Sequence, residues 1–261
     1  MNVLIYLDDN LISSISLRYI CAQARFVPMS IRPFHVEVRG QRHYPFGVGW
    51  VRRTWENTVK ETSREFIENF IKTEIHSCPG LLTAKIVVGD TETELLKEIK
   101  TGKYDLFVIG MLRSFGFYSF YDFLNGSLIK QIKLPILLVR NITHYKSVYF
   151  LIDRYTDVHA MLQNYFSLYK DLPYNIFFCH YAYNDQETNE FKNKLIKIKD
   201  CFKDFELDIS KVIQLPTSVE ESAHLLRTGD MVVASIEKNG AKTAITDILA
   251  NIPNSCLIFW K

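Results

Sequence analysis

The chain has 261 residues and a formal net charge of +2 at neutral pH, with 48% hydrophobic and 23% charged residues. This length suits two domains of about 130 residues each, and the composition argues against long disordered tails. A nearly neutral charge gives no electrostatic reason to expect nucleic acid or an anionic membrane as a partner.

The beginning of the chain, MNVLIYLDDN, has neither a basic n-region nor a cleavage motif, so we expect no signal peptide. The longest apolar stretches, such as LPILLV and CLIFW, fall well short of the roughly 18 residues that a membrane helix requires. These features predict a cytoplasmic protein without membrane contact.

Strand-like and helix-like segments alternate through the first half. VLIYL is a short apolar run, ISLRYICAQARF has apolar residues at helical spacing, and IRPFHVEV is strand-like again. A long helix follows from Trp55 to Ile75, and after it come AKIVV (strand), ETELLKEIK (helix), DLFVIG (strand), LIKQIK (helix) and PILLV (strand). This alternation predicts a parallel sheet with helices on both faces and ligands at the carboxyl ends of its strands.

The pattern restarts at Lys146. SVYFLIDR repeats NVLIYLDD, CHYAY repeats FHVEV, and TAKIVVGDTETE corresponds to ISKVIQLPTSVE. We interpret the chain as a tandem duplication with domains at 1–143 and 144–261. Only the first copy has a Gly-Ser pair before its last helix, so we expect a phosphate site there and none in the second copy.

Five cysteines lie at positions 21, 78, 179, 201 and 256, and none of them forms a C-x-x-C pair. An odd number at scattered positions predicts neither a disulfide framework nor a structural zinc site. His35 and His180 lie inside strand patterns, where we expect core histidines rather than ligands.

Three stretches carry a resemblance to a known family: VLIYLDD, VVGDTETELLKEIKTGKYDLFVIG, and NGS with the following helix and LPILLVR. They resemble the universal stress proteins in their tandem form, across essentially the whole chain. The resemblance implies an α/β fold of two tandem five-stranded parallel sheets flanked by helices, as in adenine nucleotide alpha hydrolases. It also implies ATP binding, with Mg2+, between the first strand, the end of the second and a loop of pattern G-x2-G-x9-G-[ST].

Carried over by position, the resemblance places Asp8 beside the adenosine and Val36 near the base. Gly110, Gly126 and Ser127 would hold the phosphates. Asp8 would also contribute to a Mg2+ site with the nucleotide, although an acidic residue after a strand is equally a loop or cap residue.

The glycine loop departs from the family pattern. Gly116 keeps the nine-residue spacing to Gly126 but comes three residues late after Gly110, and Arg113 stands where the second glycine is expected. We assign Arg113 and Gly116 to the candidate site, where the arginine would bond to phosphate unless it is simply solvated. The Asn-Gly-Ser triplet has an ordinary alternative role, in which Asn125 or Ser127 caps a helix.

Two aromatic segments flank this site. Residues 115–123 carry six aromatic side chains, which would cover an empty groove, stack on a bound base, or pack against the other half or another subunit. Residues 40–53 combine basic and aromatic side chains in what we expect to be a surface loop beside the pocket, with contact to anions or RNA as the alternative.

Two functional hypotheses follow. The first is a universal stress protein with a regulatory role that binds an adenine nucleotide in its first domain, with at most slow ATP hydrolysis because no general base is identifiable. The second is a scaffold without nucleotide that uses the aromatic loop for dimerisation or partner docking. Both include a pseudo-dimer within the chain, and a homodimer is compatible with each; an enzyme of the same superfamily is a third, weaker alternative.

Overall fold

A computed structural model describes most of the protein. The described residues are 1–8, 10–38, 49–74, 76–111, 120–142, 147–173, 175–182, 185–199, 212–238 and 242–261.

The first half contains five strands and five helices among its described residues. The strands are β1 (Asn2–Tyr6), β2 (Ser30–Val38), β3 (Lys85–Gly89), β4 (Leu106–Gly110) and β5 (Ile136–Val139). The helices are α1 (Leu11–Gln23), α2 (Trp50–Glu74), α3 (Thr91–Thr101), α4 (Phe120–Asn125) and α5 (Ser127–Gln131).

The second half repeats this order with one helix fewer in its described part. Its strands are β6 (Ser147–Ile152), β7 (Asn175–Tyr181), β8 (Val212–Leu215), β9 (Met231–Ile236) and β10 (Ser255–Trp260). Its helices are α6 (Val158–Tyr169), α7 (Asp185–Lys199), α8 (Val219–Leu226) and α9 (Ala244–Asn251).

The ten strands form one sheet in the order β3-β2-β1-β4-β5-β10-β9-β6-β7-β8. Each half contributes five parallel strands, as the sequence predicts. The two sheets are not separate, however, because β5 and β10 pair in antiparallel orientation, with Leu257 opposite Leu137. In each half the chain reverses its direction of strand addition, between β1 and β4 and between β6 and β9.

Apolar side chains cover both faces of the sheet, which explains why most strands read as continuous apolar runs. One cluster of buried side chains crosses the boundary between the halves: Phe120, Leu124 and Leu138 pack with residues of β9, α9 and β10. The junction is also held by polar contacts. The Arg140 guanidinium donates to the carbonyl oxygens of Leu249 (2.6 Å) and Ile252 (2.9 Å) at the end of α9.

The cysteine prediction needs a correction. Cys21 of α1 and Cys78, in the segment between α2 and β3, form a disulfide bond, although they lie 57 residues apart. The sequence gives no sign of this pair because only the packing of α1 against that segment brings the two thiols together. Cys179 and Cys256 are free and buried, and Cys201 lies outside the described residues.

Two local predictions also differ from the structure. The second long helix begins at Trp50 rather than Trp55, so the last residues of the expected loop 40–53 are helical. Residues 39–48 lie outside the described part. Helix α4 was not expected at all, since its six residues make fewer than two turns and are too few to show a helical period. No helix in the described ranges is long and apolar enough to cross a membrane.

Candidate functional site

A cavity of about 660 Å³ opens at the carboxyl ends of β1 and β4. These strands are neighbours whose following connections run to opposite sides of the sheet, and such a switch point is where open parallel sheets usually bind ligands. The described residues around the cavity are Tyr6, Asp8, Asn10, Leu11, Ile12, Ser13, Glu92, Ile109, Gly110, Met111, Asp122, Phe123, Gly126, Leu128 and Ile129.

Asp8 lies in the turn between β1 and α1 and is held by that turn. Its carboxylate accepts hydrogen bonds from the backbone N–H of Asn10 (3.1 Å), the Asn10 side-chain amide (2.8 Å) and the Ser13 hydroxyl (2.6 Å). A carboxylate has about four acceptor positions, so three of them serve the turn. The loop thereby fixes the orientation of Asp8 at the cavity wall.

Gly110 ends β4 directly beneath α1. A Cβ atom at this position would lie 2.4 Å from Cγ1 of Ile12 and 2.6 Å from the Ser16 hydroxyl oxygen. The close approach of α1 to β4 therefore requires a glycine whether or not a phosphate binds.

Gly126 and Ser127 begin α5. Gly126 is the N-cap residue, with φ −57° and no side-chain cap bond, so the predicted capping by Asn125 or Ser127 does not occur. The Ser127 hydroxyl instead donates a hydrogen bond to the carboxylate of Glu92 in the first turn of α3. This contact joins α5 to α3 at the edge of the cavity.

Solved structures with the same arrangement include universal stress proteins. One from Archaeoglobus fulgidus DSM 4304 has a TM-score of 0.65 at 12% identity, with the match covering 100% of this chain and 96% of that chain. A putative universal stress protein from Pseudomonas aeruginosa UCBPP-PA14 has a TM-score of 0.60 at 11% identity, and the match covers 99% of this chain and 92% of that chain. The chain has the tandem universal stress protein fold.

The fold that the sequence resemblance implies is thus confirmed. Sequence identities this low show the fold and nothing more. The cytoplasmic domain of a prokaryotic cation chloride cotransporter also matches, with a TM-score of 0.53 at 11% identity over 98% of this chain and 94% of that chain. No protein-family model and no curated protein matches the sequence.

The universal stress protein fold brings part of the predicted site together. Asp8, Gly110 and Gly126 line the cavity, and Ser127 is next to it through Glu92. Val36 is buried in the hydrophobic cluster that also contains Leu128 and Ile129, and it is not among the lining residues. Arg113 and Gly116 lie outside the described residues, as does Asp9.

The described aromatic residues of the segment 115–123 divide between two roles. Phe120 is buried in the cluster shared with the second half, and the Tyr121 hydroxyl donates to the carboxylate of Asp247 in α9. Burial and this hydrogen bond raise the pKa of Tyr121 above its usual value. Phe123 lines the cavity. The short helix α4 therefore both packs against the other half and contributes to the pocket.

Sequence reasoning missed Glu92, Asp122 and Ser13. Glu92 could have been found, because it follows a predicted strand in the stretch VVGDTETE and would reach the carboxyl end of the sheet. Asp122 and Ser13 gave no such signal. Three carboxylates therefore line the cavity, and none of its described lining residues is lysine, arginine or histidine. Within the described ranges, no group of three or more His, Cys, Asp and Glu side chains is arranged to hold a metal ion.

The second half repeats the turn that holds Asp8. The Asp153 carboxylate accepts from the backbone N–H of Tyr155 (3.0 Å) and from the Thr156 hydroxyl (2.7 Å). Before its last helix, however, Thr243 and Thr246 form a capping box where the first half has Gly-Ser. The duplication has thus kept the turn and changed the helix start.

Both strand histidines are buried, as predicted. His35 is 8% exposed, and its Nδ1 atom donates to the carbonyl oxygen of Leu7 at 2.8 Å. His180 stacks on Phe191 with 4.5 Å between ring centroids, and burial lowers its pKa below 6.5.

Proposed function

We propose that this protein is a regulatory universal stress protein that binds an adenine nucleotide, with Mg2+, in the cavity of its first half. The observation that carries the proposal is a cavity of about 660 Å³ at the switch point between β1 and β4. Its volume falls within the range of about 300–1,000 Å³ that is usual for small-molecule sites, and ligands of parallel sheets bind at this position.

The lining residues suit the parts of a nucleotide. Ile109, Met111 and Leu128 offer an apolar wall for a base. Asp8 retains about one acceptor position for a ribose hydroxyl, beyond the three used in its turn. Mg2+ bound to the phosphates would offset the carboxylates of the cavity, because oxygen ligands from phosphate and protein are those that Mg2+ prefers.

Binding without efficient catalysis supports a regulatory output. Hydrolysis would require a general base placed beside a water molecule at the terminal phosphate. Asp8 is engaged by the β1–α1 turn and Glu92 by Ser127, and the described lining offers no histidine or lysine for this role. We therefore propose at most slow ATP hydrolysis.

The proposal is tested by thermal unfolding with and without Mg2+ and ATP. A ligand at one hundred times its dissociation constant adds about 2.7 kcal/mol to the free energy of unfolding, so the Tm should rise. Gly126→Asp should abolish the rise, since it adds a carboxylate to the lining. Asn125→Asp adds the same charge one residue outside the lining and should keep the rise. No rise at millimolar ATP would refute nucleotide binding.

The second candidate function is a scaffold that binds no nucleotide. The acidic lining favours it, because the carboxylates of Asp8 and Glu92 repel free phosphates. Mass spectrometry of purified, denatured protein separates the two candidates: release of a bound nucleotide supports the first. A protein that carries no nucleotide and shows no thermal shift supports the second, with the aromatic loop as a docking or dimer surface.

A further inference from the structure

Glu92 is an exposed residue at the rim of the cavity. It lies in the first turn of α3, which is capped by Asp90 through a 2.9 Å bond from the backbone N–H of Thr93. The Glu92 carboxylate accepts the hydroxyl hydrogen of Ser127, the residue assigned to phosphate by the family resemblance. The Glu92 carboxylate thus accepts the Ser127 hydrogen bond that a phosphate oxygen would otherwise accept.

The rest of the described lining does not compensate for this charge. Asp8 adds a second carboxylate, and no basic side chain occurs among the described lining residues. Free ATP carries about four negative charges near neutral pH, and charges of the same sign a few ångströms apart repel by about 1 kcal/mol or more per pair, even in high dielectric. The described part of the cavity lining is therefore unfavourable for uncompensated phosphate.

We infer that Glu92 makes this cavity select adenine ligands by their charge, favouring a nucleoside or a Mg2+-bound nucleotide over the free nucleotide. The inference rests on the proposed function and adds the chemical form of the ligand. Glu92 acts in two ways, by repelling phosphate oxygens and by holding the Ser127 hydroxyl.

Isothermal titration at low ionic strength tests the inference, because salt screens such interactions. Three probes are titrated: adenosine, ATP with excess Mg2+, and ATP with EDTA. Glu92→Gln keeps an acceptor for Ser127 and removes only the charge. Its matched control is Glu94→Gln on the same helix, where Glu94 lies 3.6 Å from Lys97 and does not line the cavity.

The expected result is specific to one probe and one variant. Glu92→Gln should tighten the binding of metal-free ATP about tenfold, which corresponds to about 1.4 kcal/mol, and leave adenosine unchanged. Glu94→Gln should bind all three probes as the wild type does. Ser127→Ala should not tighten the binding of metal-free ATP, because the Glu92 carboxylate remains and a hydroxyl donor for phosphate is lost.

Two other results overturn the inference in distinguishable ways. If the probes bind but Glu92→Gln and the wild type have equal affinity for metal-free ATP, or if Glu94→Gln has the same effect as Glu92→Gln, the inference fails while the proposed function stands. If none of the probes binds to the wild type or to Glu92→Gln, the proposed function and the inference fail together.

Discussion

Gly110 is needed where α1 crosses the end of β4. Because a Cβ would lie 2.4 Å from Cγ1 of Ile12 and 2.6 Å from the Ser16 hydroxyl oxygen, we expect Gly110→Ala to lower the free energy of unfolding by about 1–3 kcal/mol, the usual cost of overpacking. Urea denaturation measures this loss. Gly126→Ala is the control, since the nearest atom to its Cβ would be the Phe123 carbonyl oxygen at 3.2 Å. Equal losses in the two variants would contradict the packing argument.

His180 should make stability depend on pH. Burial lowers its pKa in the folded protein, against opposing effects of Glu187 and Asp153. Between that lowered pKa and the unfolded value of about 6.5, the unfolded chain binds more protons, so stability rises with pH across this window and is lost as the pH falls through it.

The test compares the loss of unfolding free energy between pH 7.5 and 5.5. The wild type should lose more than His180→Gln, whose side chain stays neutral at both pH values. His224→Gln, at an exposed position, should lose as much as the wild type. An identical pH dependence for wild type and His180→Gln would show that this histidine does not contribute.

At the scale of elements, the disulfide ties α1 to the segment before β3. Closing a loop between residues 57 positions apart stabilises proteins typically by about 2–4 kcal/mol. We expect a reductant to lower the Tm of the wild type but not that of a Cys21→Ser/Cys78→Ser variant. Thiol titration of the denatured, unreduced protein should find three thiols among the five cysteines; five thiols would refute the bond.

Helix α4 joins the candidate site to the second half. Phe123 faces the cavity, while Phe120 and Leu124 lie in the cluster shared with α9. Because this six-residue helix contacts both the cavity and the second half, it fixes one wall of the cavity relative to the second half. Through this link the second half supports a wall of the cavity, although none of the described lining residues belongs to it.

At the scale of the whole molecule, the continuous sheet and the shared clusters predict a single cooperative unit. Calorimetry should show one transition, with equal calorimetric and van't Hoff enthalpies. Phe120→Ala should lower the free energy of unfolding by about 3–5 kcal/mol and keep one transition, because Phe120 is 4% exposed at the junction. Phe66→Ala, at an exposed position on α2, should change little. Two separate transitions in the wild type would contradict this prediction.

The sequence predicted the fold more completely than the site. Apolar runs placed the five strands of the first half, and the repeat beginning near Lys146 predicted the second five-stranded unit. In the site, Asp8, Gly110 and Gly126 were assigned by position from the family resemblance, and all three line the cavity. Glu92 could have been chosen because it follows a predicted strand, whereas Asp122 was missed because its approach to these residues depends on how α4 packs.

The sequence by itself determined the alternation of strands and helices and the duplication, because these depend on local spacing and on comparison along one chain. Only the tertiary structure decided that β5 and β10 join the halves, that Cys21 meets Cys78, and that Glu92 holds Ser127. Each of these contacts joins residues distant in sequence. Packing and hydrogen bonding in three dimensions decide which of these residues meet, and the local sequence pattern does not contain that information.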